Sequence, residues 1–209
     1  TSVRGVRHYG LIIDPGASKG LIGQETLNEI IQYVLKPAGL DKHVQWTTSR
    51  AKFTGISKTV EMSLGVVTFP IGLVGLKNST FSADVIPGHC PGLVPLATMI
   101  KIKAIIACGY YDNADGLCVI NTVVGSKSFS APQRLRWTDS GHYMLPINNY
   151  NVAVNRNLNQ SAQKLKDFMD KSSPTGNRSP SANLFSAFPV HAQSDNYFED
   201  FAAETQSFQ

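Results

Sequence analysis

The stretch Leu11-Ile12-Ile13-Asp14-Pro15-Gly16-Ala17-Ser18 decides how the chain is read. Three consecutive apolar residues read as a buried strand, and Pro-Gly directly after them reads as a turn. Asp14 stands at the junction, where a carboxylate is costly because burial disfavours a charged group. Proteins put acids in such places most often when the carboxylate must give or take a proton. The plainer reading is an Asp that caps its own turn, or a following helix, by accepting bonds from backbone N–H groups. From this segment alone both readings stand.

Working outward, short apolar runs alternate with turn residues up to about Tyr150: Tyr9–Ile13, Val60–Leu64, Val66–Ile71, Phe81–Ile86, Ile102–Cys108 and Leu117–Val124. Several alternate apolar and polar residues with period two, which predicts half-buried strands and a mostly-β domain. Two helices are expected beside them. Residues Gln24 to Leu35 put Leu27, Ile30, Ile31, Val34 and Leu35 on one face, with Pro37 as the stop. A shorter helix is expected over Pro95 to Ile100, with proline in its first turn where the missing N–H does no harm. The fold class predicted is therefore all-β with one or two short helices.

From Asn151 the texture changes. Ser, Asn, Gln and Ala dominate, with Pro174, Pro180 and Pro189 among them. The expected organisation is one domain over 1–150 and a low-complexity, disordered tail over 151–209, save an amphipathic turn around Ala162–Met169. Phe185, Phe188, Tyr197, Phe198 and Phe201 read as linker residues, with short docking anchors as the alternative.

The 209 residues are 42% hydrophobic and 16% charged, the balance of a globular protein. The chain opens on Thr1 without a signal-peptide pattern, which suggests a processed product or a piece of a larger polypeptide. No apolar run is long enough to span a bilayer, so a cytoplasmic protein without a membrane partner is the expectation. The net charge of +4 sits in the body: residues 1–150 hold 14 Lys and Arg against 9 Asp and Glu, and the remainder 5 against 6. These cations are scattered and not interleaved with aromatics, so direct nucleic-acid binding is not favoured. Cys90, Cys108 and Cys118 lack CxxC spacing, and His89 beside Cys90 fits no zinc pattern. Buried free thiols, with neither disulfide nor metal, are the expectation.

The segment around Asp14 resembles the Asp-Ser/Thr-Gly-Ala motif of retropepsins, the aspartic proteases of retroviral and retrotransposon polyproteins, and further features follow in that family's order. Residues 51–64, with Phe53-Thr54-Gly55-Ile56-Ser57 at their centre, resemble the flap hairpin that closes over substrate. Val66–Ile71 and Thr80–Ile86 look like the strands that follow it. Gly92-Leu93-Val94-Pro95-Leu96 resembles the strand and short helix that cross behind the catalytic loop, and Ile102–Cys108 the strand after that helix. Arg136-Trp137-Thr138-Asp139-Ser140-Gly141-His142-Tyr143 is similar to the closing strands of retrotransposon-encoded members.

The resemblance, which covers about residues 5–150, implies a small closed barrel and endopeptidase activity on extended polypeptide. Asp14 would be the catalytic carboxylate, Pro15, Gly16 and Ala17 its loop, and Gly55, Ile56 and Ser57 the flap tip over substrate. No cofactor is implied. A symmetric homodimer is, since one chain supplies one such Asp and two share a proton across the axis. A retroelement particle becomes a second possible location. Two residues depart from the pattern: Pro15 stands where the family has Ser or Thr, and Pro95 where it usually has Gly or Ser. The alternative they leave open is an inactive retropepsin-like domain kept as a dimerisation or scaffold module.

Asp139-Ser140-Gly141 matches the motif literally, but polar Arg136, Thr138 and His142 surround it and predict a hairpin turn. Gly16–Gly23 lacks the Gly-Lys-Ser/Thr ending of a phosphate loop. Tyr111–Gly116 lacks the terminal carboxylates of a calcium loop and reads as a turn between strands. No Ser-His-Asp order has a nucleophile-elbow context.

Overall fold

The computed structural model describes residues 1–54, 60–124, 127–154 and 156–172. The chain opens with β1 (Ser2–Val3) and β2 (Val6–Arg7), a small hairpin, then β3 (Gly10–Asp14) and β4 (Leu21–Gly23). Helix α1 (Gln24–Ile30) continues into a π-helical turn over Ile31–Leu35. Next come β5 (Gln45–Thr47), β6 (Lys52–Thr54), β7 (Val60–Met62), β8 (Gly65–Pro70), β9 (Thr80–Ile86) and β10 (Gly92–Pro95). Helix α2 (Leu96–Lys101) leads to β11 (Ile105–Ala107), β12 (Gly116–Val124), β13 (Lys127–Trp137), β14 (Tyr143–Pro146) and helix α3 (Arg156–Ser172).

Ten strands form one mixed sheet in the order β11-β12-β13-β14-β3-β10-β4-β9-β8-β5. The pairs β3–β10 and β4–β9 are parallel and the others antiparallel. The mostly-β expectation is met. The ladder has two ends, the three-residue strands β11 and β5, and no bond between them closes a ring among the described residues.

The core lies where the apolar faces of strands and helices meet. Leu11, Ile22, Val67, Phe69, Val85, Val94 and Leu145 come from the sheet, Leu27, Ile30, Val34 and Leu35 from the α1 segment. Burying each such side chain contributes about 1.5–3 kcal/mol. Strand β8 shows the alternation read from its sequence, with Val67 and Phe69 fully buried. Helix α1 starts at the expected residue, whereas α2 starts at Leu96, one residue later than expected, with Pro95 as its extended N-cap and the last residue of β10.

Two elements depart from the reading. Val60–Leu64 alternates, yet Val60 is 56% and Met62 47% exposed. Among the described residues strands β6 and β7 pair only with each other, outside the ten-stranded sheet. Helix α3 is much longer than the turn expected there, running over Arg156–Ser172. Leu158, Ala162 and Leu165 recur at helical spacing and pack on Ala107, Leu117 and Val119 of β11 and β12. Its polar composition hid this single stripe. Residues 173–209, where the tail was expected, lie outside the described residues.

Candidate active site

Asp14 is the last residue of β3, a strand held on both sides. Antiparallel β14 pairs with its Gly10–Ile12 half, and parallel β10 runs along it with Pro95 in register with Asp14. The chain leaves β10 straight into α2, so the carboxylate stands where a strand end, a parallel neighbour and a helix start converge. Leu11 and Ile12 are buried, and Asp14 is half-buried.

The turn after it is fixed by its own backbone. Gly16 N–H donates to Asp14 Oδ1 at 2.9 Å, and Ala17 N–H to the Asp14 carbonyl at 3.2 Å. A Cβ at position 16 would sit 3.2 Å from Oδ1, so glycine allows this close approach. The other carboxylate oxygen makes no hydrogen bond among the described residues. Asp14 therefore caps its turn with one oxygen. Pro15 is exposed and offers neither hydroxyl nor N–H.

The hairpin β6–β7 carries Phe53 half-buried and Glu61 exposed. Its tip residues Gly55, Ile56 and Ser57 lie outside the described residues. Cys90, just before β10, is half-buried, and its thiol is pushed up by burial, then by the negative charges of Glu61 and Asp14. Both carboxylates thus act on one thiol, one from the hairpin and one from β3.

The other aspartates in the sheet region have different surroundings. Asp139 lies in the turn between β13 and β14, as read from the sequence, and ties down the β1–β2 hairpin. It accepts from Ser2 Oγ at 2.6 Å and from the N–H groups of Arg4 and Gly5 at 2.7 and 3.0 Å. Asp115 is fully buried, which the sequence reading missed. Its Oδ1 accepts from Arg4 at 2.8 Å and Trp137 N–H at 3.0 Å, its Oδ2 from Arg134 and Arg136 at 3.0 and 3.1 Å. Burial pushes this carboxyl up, but the Trp137 N–H and the three guanidinium groups outweigh it and hold it below the usual value. With both oxygens saturated, it cannot serve as a general acid. The signal available was Arg134 and Arg136, two apart on one strand and so on one face.

Asp84, in the middle of β9, is the second buried carboxylate missed, at 7% exposure. It accepts from Ser49 and Ser63 hydroxyls.

Of the three cysteines, all free, only Cys118 is buried; Cys90 is half-buried and Cys108 exposed. Among the described residues no cluster of His, Cys, Asp and Glu could hold a metal ion, and no helix is long and apolar enough to cross a membrane. Comparison with family models, curated proteins and solved structures finds no match for this chain.

Proposed function

We propose that this chain is a retropepsin-like aspartic endopeptidase, working as a homodimer in which two copies of Asp14 form one catalytic dyad. The observation that carries the reading is the setting of Asp14. It is a half-buried carboxylate in a glycine turn at the end of β3, in register with Pro95 of parallel β10, and helix α2 starts at once behind it. One oxygen held by Gly16 N–H fixes the orientation, and the other is left for a partner carboxylate and a water.

The chemistry follows from charge. Two carboxylates about 3 Å apart cannot both ionise, so they share one proton. The ionised member takes a proton from water, which attacks the scissile carbonyl while the protonated member donates to the developing oxyanion. Hairpin β6–β7, with apolar Val60 and Met62 exposed, would cover an extended peptide and hold it by strand-like backbone bonds. Polyprotein processing is the setting that suits such a substrate.

Pro15 favours a second reading, a catalytically silent domain kept for dimerisation, because this loop residue has no group with which to bond its counterpart across an axis. Cleavage separates the two. The purified chain is assayed on polyprotein-like peptides at about pH 4–7 beside Asp14→Asn, with and without an active-site aspartyl inhibitor. The proposal expects cleavage that both the substitution and the inhibitor abolish. A folded dimer that cleaves nothing overturns the enzyme and leaves the dimerisation module.

A further inference from the structure

Among the described residues strands β6 and β7 pair only with each other, and an isolated two-stranded hairpin is at best marginally stable. Side-chain bonds tie it to the main sheet at its base. There, the segments entering and leaving it converge on one atom. Ser49 Oγ donates to Asp84 Oδ1 at 2.6 Å, and Ser63 Oγ stands 2.8 Å from the same oxygen. Each hydroxyl is oriented by its own segment: Ala51 N–H donates to Ser49 Oγ and Gly65 N–H to Ser63 Oγ, both at 3.2 Å. Ser63 N–H closes the base by donating to the Ala51 carbonyl at 2.9 Å.

Asp84 is a rigid anchor. It lies within β9, in register with Leu21 of β4 on one side and Val66 of β8 on the other. Its N–H donates to the Gly20 carbonyl at 3.0 Å, and Gly20 ends the loop that Asp14 begins. The base of the hairpin and the Asp14 loop are thus fastened to one residue. Just past Ser63, β8 begins at Gly65, whose φ of +149° and the 3.0 Å at which an added Cβ would meet the Thr47 carbonyl oxygen make any side chain there strained.

We propose that Ser49, Asp84 and Ser63 form the hinge that sets the position of the β6–β7 hairpin relative to the Asp14 loop, with Asp84 as a positioning residue. Its catalytic consequence rests on the protease reading above; its mechanical one does not. Deleting one hydroxyl removes a charge-assisted bond, which commonly changes an equilibrium by tenfold or more.

The test compares Ser49→Ala, Ser63→Ala and Ser49→Thr with the full wild-type chain. Millisecond hydrogen exchange is read at the amides of β6 and β7, with β8 and β9 as internal reference. The hinge expects exchange in β6 and β7 to speed up about tenfold in both alanine variants, with β9 and β8 beyond Gly65 unchanged and Ser49→Thr restored to wild type. In the peptide assay kcat/KM should fall about tenfold, mostly through KM, again with rescue by threonine. Unchanged exchange in β6 and β7, or acceleration spread equally over β8 and β9, overturns the hinge. A wild-type chain that cleaves nothing sinks the protease reading, and the exchange pattern alone then decides the hinge.

Discussion

Burial and bonding give the aspartates of this sheet separate tasks. Asp14 caps its own turn with one oxygen, Asp84 gathers two serines, Asp139 secures the β1–β2 hairpin, and Asp115 neutralises a knot of arginines. Asp115→Asn removes the carboxylate charge to which Arg136, itself largely covered, is bonded. Removing one member of a buried ion pair typically costs about 3–5 kcal/mol, and a urea titration should lose stability on that scale. The depressed carboxyl also fixes a pH dependence. The folded state binds this proton less readily than the unfolded chain, whose ordinary pKa is near 3.8. The stabilisation is therefore complete above that value and disappears as pH falls towards and through the lower folded one. Wild-type stability should drop steeply below about pH 4, and the drop should be blunted in Asp115→Asn. At this scale the sequence was partly legible. The hydrophobic run before Asp14 announces a strand-end carboxylate, since the signal is local. Nothing local marks Asp115, because its partners Arg4, Arg134 and Arg136 meet it only once distant strands have paired.

Among the elements, α3 and the β6–β7 hairpin show what pattern reading misses. Leu165 is 3% exposed on a helix whose composition reads as tail. Leu165→Ala should lower stability by about 2–4 kcal/mol in urea denaturation, the cost of a cavity at a covered site. A change within about 0.5 kcal/mol would mean that α3 does not hold its place on β11 and β12. The helix was underread because one apolar residue per turn is enough to dock it, while the average over its length stays polar. The hairpin was misread in the opposite sense. Period-two alternation marks a strand but not what lies under it, and here Val60 and Met62 stay exposed. Strands β3, β8, β9 and β10 were legible because they are apolar enough to be core wherever they pair. Their order in the sheet was not, because β3–β10 and β4–β9 are contacts between segments far apart in the chain.

At the scale of the whole molecule, the proposed dyad makes activity a property of pairs. In an equal, freely exchanging mixture of wild-type and Asp14→Asn chains, only about a quarter of dimers keep both carboxylates. Cleavage by a fixed amount of wild-type protein should therefore fall to about half when the variant is added in equal amount. No decline, with subunit exchange shown independently, would mean that one chain suffices. The architecture also sets when such a site can exist. Strand β3 is made before β10 and β14, its two sheet neighbours, which are encoded far downstream of it, the second ending at Pro146. A chain still growing on the ribosome carries Asp14 on an unpaired strand until nearly the whole sheet has emerged. The carboxylate acquires its setting only once β14 has emerged, so on the proposed reading a chain stopped short of Pro146 has no assembled centre with which to cut itself or its neighbours.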